Sequence, residues 1–318
     1  MTTLAVSLSA FGRPEFWIGV GILVAIYAIL TLGLQLNIGY TGIYNFGQVG
    51  FMAIGAYAMA ILVVEAGWSF WLALPGATLV AVAFAVLLGL PTLRLRTHYF
   101  AIATIAFAEI VRYVAQNADG LTGGSQGMLG FEITWQTIAA SLQDQLGLAP
   151  QLSLVPLLIV AWVTLAVLFA VLLALGRSPW GRMLRAVRED EDAVRALGKN
   201  AYAYKLQSFA VAGAVGAVSG YLLALYLSFL SPEAFLASVT FISFAMLIVG
   251  GLGSFPGVVL GAVIVQVVLE GTRYLQLPLT DFQVASLRYI LIGLILILVM
   301  ALRPQGILGR REEMVLGG

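Results

Sequence analysis

Nine apolar runs dominate the chain, at 16–36, 46–64, 70–93, 99–116, 152–175, 206–229, 238–252, 256–271 and 286–302. A helix needs about 20 mostly apolar residues to cross the hydrocarbon core of a bilayer. Within that core every backbone N–H and C=O must be satisfied by the protein itself, which restricts spanning segments to helices and closed barrels. Runs of this length select helices. Only 10% of the 318 residues are charged and 61% are apolar, whereas soluble domains carry roughly 25% charged residues. The sequence therefore predicts an all-α polytopic membrane protein: one transmembrane domain over 1–318, a helical bundle of about nine spans, within eight to ten. The shorter runs are candidates for tilted or half-length helices.

Charge placement orients such a bundle. With an inner C-terminus, the inner segments hold Arg94, Arg96, Arg177, Arg182, Arg185, Arg188, Arg195, Lys199, Lys205, Arg303, Arg310 and Arg311, twelve of the sixteen cations. The outer side keeps Arg13, Arg112, Arg273 and Arg288. Lys and Arg accumulate on the cytoplasmic side, so the pattern predicts a cytoplasmic C-terminus and, with nine spans, an outer N-terminus. Trp17, Trp68 and Trp71 fall at predicted outer helix ends, where amphipathic rings are favoured. Residues 1–13 lack the basic stretch and cleavable core of a signal peptide. Two connections are long. The outer one, 118–150, has no Lys or Arg and begins with the glycine-rich Leu121–Gly127. The inner one, 176–205, is strongly charged.

Several chemistries are excluded. The chain has no Cys and a single His, His98, so thiol catalysis and Cys-ligated metals are ruled out and a His-based triad or metal site is poorly supported. The net charge of +1 gives no basic stripe for nucleic acid. A phosphate-binding Gly-x-x-x-x-Gly-Lys-Ser/Thr loop is approached only at Gly198-Lys199, with Ala193 in the first Gly position and Asn200 in the last. No cofactor is expected, and any nucleotide-driven work requires another chain.

Inside the membrane, residues 37–56 interrupt the apolar pattern with recurrent Gly and the polar side chains Asn37, Asn45 and Gln48, with Tyr40 between them. Non-helical backbone at membrane depth is tolerated only where it is buried or lines a cavity, and broken segments recur along transport paths. Asn37, Tyr40, Asn45 and Gln48 are therefore candidates for a translocation path. The alternative is a loop at the membrane edge followed by a polar-faced helix. Glu109 is the main intramembrane acid and a further candidate; Arg112 can pair with it on one helix face, and a structural ion pair is the alternative role. The pairs Gly216/Gly220, Gly253/Gly257 and Gly257/Gly261 are each spaced for close helix approach.

The inner connection divides in two. The part carrying Arg182, Arg185 and Arg188 is basic and suits anionic headgroups of membrane lipid. The part from Glu189 to Gly198 predicts a short helix. Glu189, Asp190, Glu191 and Asp192 gather at its start, Arg195 lies in its last turn and Gly198 follows. Ala193, Val194 and Leu197 form a small apolar face. This is either a docking helix for a cytosolic partner or a charged loop on its own helix ends.

Taken together, these stretches resemble the LivM-type permease subunit of branched-chain amino acid ABC importers over about residues 20–310. The resemblance is carried by Asn37–Gly42 and Ile54–Tyr57, Leu93–Phe107, Leu121–Gly127, Trp180–Asn200, Gly250–Ser254 and Leu302–Leu308. It implies a bundle of the type II ABC importer kind, without catalysis of its own. It also implies as partners a second homologous permease, two cytosolic ATPase subunits and an extracytoplasmic binding protein, in the plasma membrane of a prokaryote. Residues 181–200 correspond to the family's coupling region. Branched-chain amino acids are the implied cargo; urea or short amides are the alternative. A stand-alone secondary transporter or channel is the rival from another class.

Overall fold

A computed structural model describes residues 12–147, 149, 152–274 and 281–309; the expectations for residues 1–11, Arg310 and Arg311 lie outside it. Among the described residues helix is the only extended regular structure. All nine apolar runs form helices. The first, α1, covers Pro14–Leu34, starts on a proline at its first turn and continues as a π-helical turn, Gln35–Tyr40. After the segment 41–47 come α2 (Gln48–Val64), α3 (Phe70–Thr92) and α4 (Thr97–Asn117). On the 118–150 side lie a single turn at Asp119–Thr122, a 3-10 turn at Gly124–Gln126 and α5 (Glu132–Gln145). There follow α6 (Val155–Arg177), α7 (Pro179–Glu189), α8 (Glu191–Ala196), α9 (Ala201–Leu227), α10 (Ala237–Gly250), α11 (Phe255–Tyr274) and α12 (Asp281–Leu302).

Six helical stretches are long and apolar enough to cross a bilayer: Pro14–Tyr40, Phe70–Thr92, Thr97–Asn117, Val155–Arg177, Ala201–Leu227 and Phe255–Thr272. α2, α10 and the Ser286–Leu302 part of α12 are apolar but shorter. At 1.5 Å per residue, the 14 residues of α10 extend about 21 Å, less than the hydrocarbon core of about 30 Å.

α1 and α9 form the centre. The hydrophobic window of α1 is the most enclosed of the six and that of α9 the next. α9 packs on α1, α2 and α3; the α10–α11 pair and α6 pack on α1; α4 lies along α2. Small residues set these approaches. A Cβ on Gly220 of α9 would strike the Met52 carbonyl of α2, and one on Gly261 of α11 would strike the Met246 carbonyl of α10. Gly250 and Gly257 face each other in the same way. The sequence also holds a stripe in α3 that its overall hydropathy conceals: Ala73, Ala77, Ala81, Ala85 and Gly89 recur every four residues and are buried. The stripe lays α3 on α9, where a Cβ on Gly213 would stand 3.0 Å from the Ala85 side chain. Apolar association is weak in lipid, so close backbone approach supplies dispersion contact instead.

α9 begins five residues before the apolar run, because the Asn200 side chain accepts from the Ala203 N–H at 3.1 Å and caps it. The described part of the 118–150 stretch is anchored to the bundle rather than free. Met128 and Leu230 exchange backbone hydrogen bonds of 2.9 and 3.0 Å, and buried Trp135 stacks on Phe70 at 6.1 Å. Trp17, Trp68 and Trp71 are exposed, as a belt position requires.

Gly220→Val forces a branched side chain into the Met52 backbone. Overpacking of this kind costs about 1–3 kcal/mol, so its melting temperature in detergent should fall. Gly293→Ala in α12, where a Cβ meets nothing within 4 Å, should match or exceed the wild type.

Candidate functional site: the break between the first two helices

The π-helical turn and the segment 41–47 sit at the end of the bundle that also carries α7 and α8. Their backbone is satisfied by distant elements. The Ile43 N–H donates to the Asn37 carbonyl at 2.9 Å. The Phe46 N–H donates to Thr104 Oγ1 of α4 at 3.1 Å, and the Val49 N–H to Thr240 Oγ1 of α10 at 3.0 Å. Asn45 acts twice: Oδ1 accepts from the Gly47 N–H at 2.9 Å and Nδ2 donates to Gln48 Oε1 at 2.9 Å. Gln48 Nε2 then donates to the Ala212 carbonyl of α9 at 2.9 Å. Thr41 and Ser208 share a hydrogen bond of 2.7 Å, and Ser208 donates to Asn37 Oδ1 at 3.3 Å. In the amide orientation that satisfies both sides, the Gln35 oxygen accepts from the backbone N–H groups of Gly253 and Ser254, each at 2.6 Å. Gln35, Asn37, Asn45, Gln48 and Ser208 are all fully buried. The break is a closed polar seam through the core. Asn37 Nδ2 has no partner among the described residues.

Asn37 and Tyr40 belong to the end of α1, because the helix persists to Tyr40 by widening its turn instead of stopping at Asn37. The unwound part is 41–47. There Gly42 takes φ +73°, a left-handed conformation that glycine adopts without strain. Gly47 lies against the Thr104 carbonyl, and a Cβ on Gly50 would stand 3.0 Å from Ala108 Cα. Tyr40 stacks on Phe255 at 5.0 Å.

The basic helix α7 closes over this seam. Ser178 caps it by accepting from the Gly181 N–H at 3.3 Å, and Pro179 occupies its first position. Leu184 and Val187 are buried beneath it. Arg188 donates to the Gly39 carbonyl at 2.5 Å, and its stem lies against Gly42. The Arg185 guanidinium lies 5.4 Å from the Tyr40 ring centroid and donates to the Gly176 carbonyl at 3.3 Å. Both arginines thus turn into the protein, not toward headgroups as their basic run suggests, because helix termini and a ring offer acceptors there. Arg182 remains exposed and donates to the Arg177 carbonyl at 3.2 Å.

α8 forms as its sequence predicts. Asp190 Oδ1 accepts from the N–H groups of Asp192 and Ala193, each at 2.9 Å, and Gly198 ends the unit at φ +72°. Glu191 pairs with Arg195 at 2.5 Å and with Lys205 of α9, while Asp192 lies 3.4 Å from Arg195. Glu189 is exposed. The three-residue apolar face is divided. Val194 packs on Val187 and Ala201, whereas Ala193 and Leu197 are exposed, Leu197 by 79%.

A family model described as branched-chain amino acid transport system / permease component matches residues 17–300. The chain belongs to this family. LivM of Escherichia coli (strain K12), named a high-affinity branched-chain amino acid transport system permease protein, is 36% identical over 308 residues, 92% of this chain and 69% of that protein. The probable LivM of Methanocaldococcus jannaschii is 28% identical, over 89% of this chain and 90% of that one. LivH of Escherichia coli (strain K12) is 27% identical, over 90% of this chain and 92% of that one. No solved structure matches the chain.

In this permease the structure brings Asn37, Tyr40, Asn45, Gln48, Arg185 and Arg188 to one place. It leaves Glu109 apart on α4. The residues that complete the seam, Gln35, Thr104, Ser208 and Thr240, are single polar side chains inside apolar runs. That was their one visible signal, and it does not identify their partners.

Gln48→Leu keeps the volume and strands Asn45 Nδ2 and the Ala212 carbonyl. Unsatisfied buried groups cost about 1–3 kcal/mol, so a lower melting temperature in detergent should follow.

Proposed function

We propose that this permease is the translocating subunit of an ATP-driven ABC importer for branched-chain amino acids, held in the plasma membrane of a prokaryote. Leucine, isoleucine and valine are the cargo that its family and the names of its relatives favour. A second related permease completes the path; similarity to both LivM and LivH proteins supports a pair of unlike chains. Two cytosolic ATPases supply the work and an extracytoplasmic protein delivers the cargo. The nine helical runs cross in a type II arrangement, with the N-terminus outside and the C-terminus in the cytoplasm. The charge bias toward the end bearing α7 and α8 supports that orientation.

The observation that carries the reading is the strut from α7 to the break. α8 and the residues flanking it present Glu189, Asp192, Ala193 and Leu197 to the outside, which suits a groove on an ATPase. Behind it, Val194 and the Glu191–Lys205 pair fix α8 to α7 and α9. Arg188 and Arg185 then grip Gly39 and Tyr40. A displacement of α8 would reach the 41–47 segment through one rigid helix, and a short non-helical segment can absorb the change in φ and ψ that a hinge needs. On this reading Asn37, Tyr40, Asn45 and Gln48 act as the hinge of the path, held shut by the seam.

The test is uptake by liposomes containing the chain with its ATPase, second permease and binding protein. ATP-dependent leucine uptake is expected; urea uptake in its place would change the cargo. Leu197→Asp, at an exposed site, should leave the fold intact and reduce uptake by about tenfold or more, the scale of losing a buried interface anchor. Uptake by this chain without an ATPase would overturn the importer reading.

A further inference from the structure

α4 carries an ion pair in the half of a membrane-length helix nearer Asn117. Arg112 Nε donates to Glu109 Oε2 at 2.9 Å, and a terminal guanidinium nitrogen lies 2.8 Å from the same oxygen. The guanidinium also covers the Tyr113 ring at 4.5 Å. Glu109 lies twelve residues beyond Thr97 and eight before Asn117, about 18 and 12 Å along the axis at 1.5 Å per residue. All these contacts lie within α4. The pair ties α4 to no other described element, so it does not explain itself as a packing bond.

Nor does the bundle enclose it. The Glu109 side chain is 30% exposed and that of Arg112 14%. α4 is the least apolar of the six long spans, with mean hydropathy 1.2 against 1.7–2.9 for the others, and only 28% of its window is buried. Charged groups at membrane depth face a bundle interior or a water-filled cavity. The described residues cover most of Arg112 and leave Glu109 partly exposed, so the open side of the carboxylate adjoins water or polar surface outside the bundle. The lipid-compatible side of α4 lies elsewhere. Ile110, Val111 and Val114 line an apolar groove of about 550 Å³ with α2 and α3. At 100° per residue, Glu109, Arg112 and Gln116 form a separate stripe.

We propose that Glu109 and Arg112 are the contact for the charged ends of the transported amino acid, on a water-filled path between this permease and its second chain. The inference rests on the amino acid importer reading. A zwitterion entering the path presents one carboxylate and one ammonium. The Arg112 guanidinium takes the carboxylate by paired N–H donors, and Glu109 takes the ammonium. The internal pair opens as the cargo pairs form, so charge stays balanced and no lone ion is left in a low-dielectric site.

The absence of cysteine permits a direct test in the assembled transporter. Single cysteines at Glu109 and Ile110 are probed with a membrane-impermeant thiol reagent. Labelling of Glu109→Cys and protection of Ile110→Cys, whose side chain faces the apolar groove, are expected; an unlabelled Glu109→Cys overturns the path assignment. Leucine uptake is then measured for Arg112→Gln and for the neutral pair Glu109→Gln with Arg112→Gln. Both should lose about tenfold or more of uptake, as loss of a charged contact predicts, while melting at the wild-type temperature. A merely structural pair would be replaced without loss by the neutral pair, so wild-type uptake in that double variant sinks this inference alone. No ATP-dependent leucine uptake by the wild-type complex overturns the importer reading and this inference with it.

Discussion

Backbone groups shut away from water must be satisfied by the protein itself, because a buried donor or acceptor left unpaired is costly. The segment 41–47 imposes that demand on this fold. Its donors go to the Asn37 carbonyl, Asn45, Thr104 and, at the start of α2, Thr240. α4 and α10 must therefore stand close enough to offer a threonine hydroxyl each. Gly47 and Gly50 make the approach of α4 possible by leaving no Cβ in the way. The central position of α1 and the tight packing of α9 on α2 follow from the same demand, since Gln48 needs the Ala212 carbonyl and Asn37 needs Ser208.

Hydrogen bonds between membrane helices contribute only about 0.6 kcal/mol each on average. The seam matters less for its sum than for its selectivity. One arrangement satisfies Gln35, Asn45, Gln48 and Ser208 together, and a helix sliding by one residue would break several bonds at once. This also makes the seam suitable for switching. A second arrangement of the same groups would be a distinct state, and the arginines of α7 grip the seam at Gly39 and Tyr40.

The charged residues separate by what they connect. Glu191 joins Arg195 to Lys205 and so fastens α8 to α9. Arg185 and Arg188 fasten α7 to α6 and the end of α1. Among the described residues, Glu109 and Arg112 connect nothing beyond their own helix. In a chain where only 10% of residues are charged, a pair within a membrane-length helix that fastens no other described element stands apart from the rest.

Sequence by itself determined the helices, because length and hydropathy are local and a bilayer leaves few alternatives. It placed all nine apolar runs, an interruption of the apolar pattern within 37–56 and the capped turn from Asp190 to Gly198, whose signals lie within a few residues of one another. Tertiary structure decided where polar side chains point. Arg188 finds the Gly39 carbonyl 149 positions away, and no pattern near either residue shows that they meet. The apolar face of α8 is divided because Val187 and Ala201 claim Val194, while Leu197 stays exposed among the described residues. Thr104, Ser208 and Thr240 read as minor defects in apolar runs until the break is folded against them. Hydrophobicity is a property of a segment and can be read along the chain. A hydrogen bond is a property of two positions, and only the packed bundle brings them together.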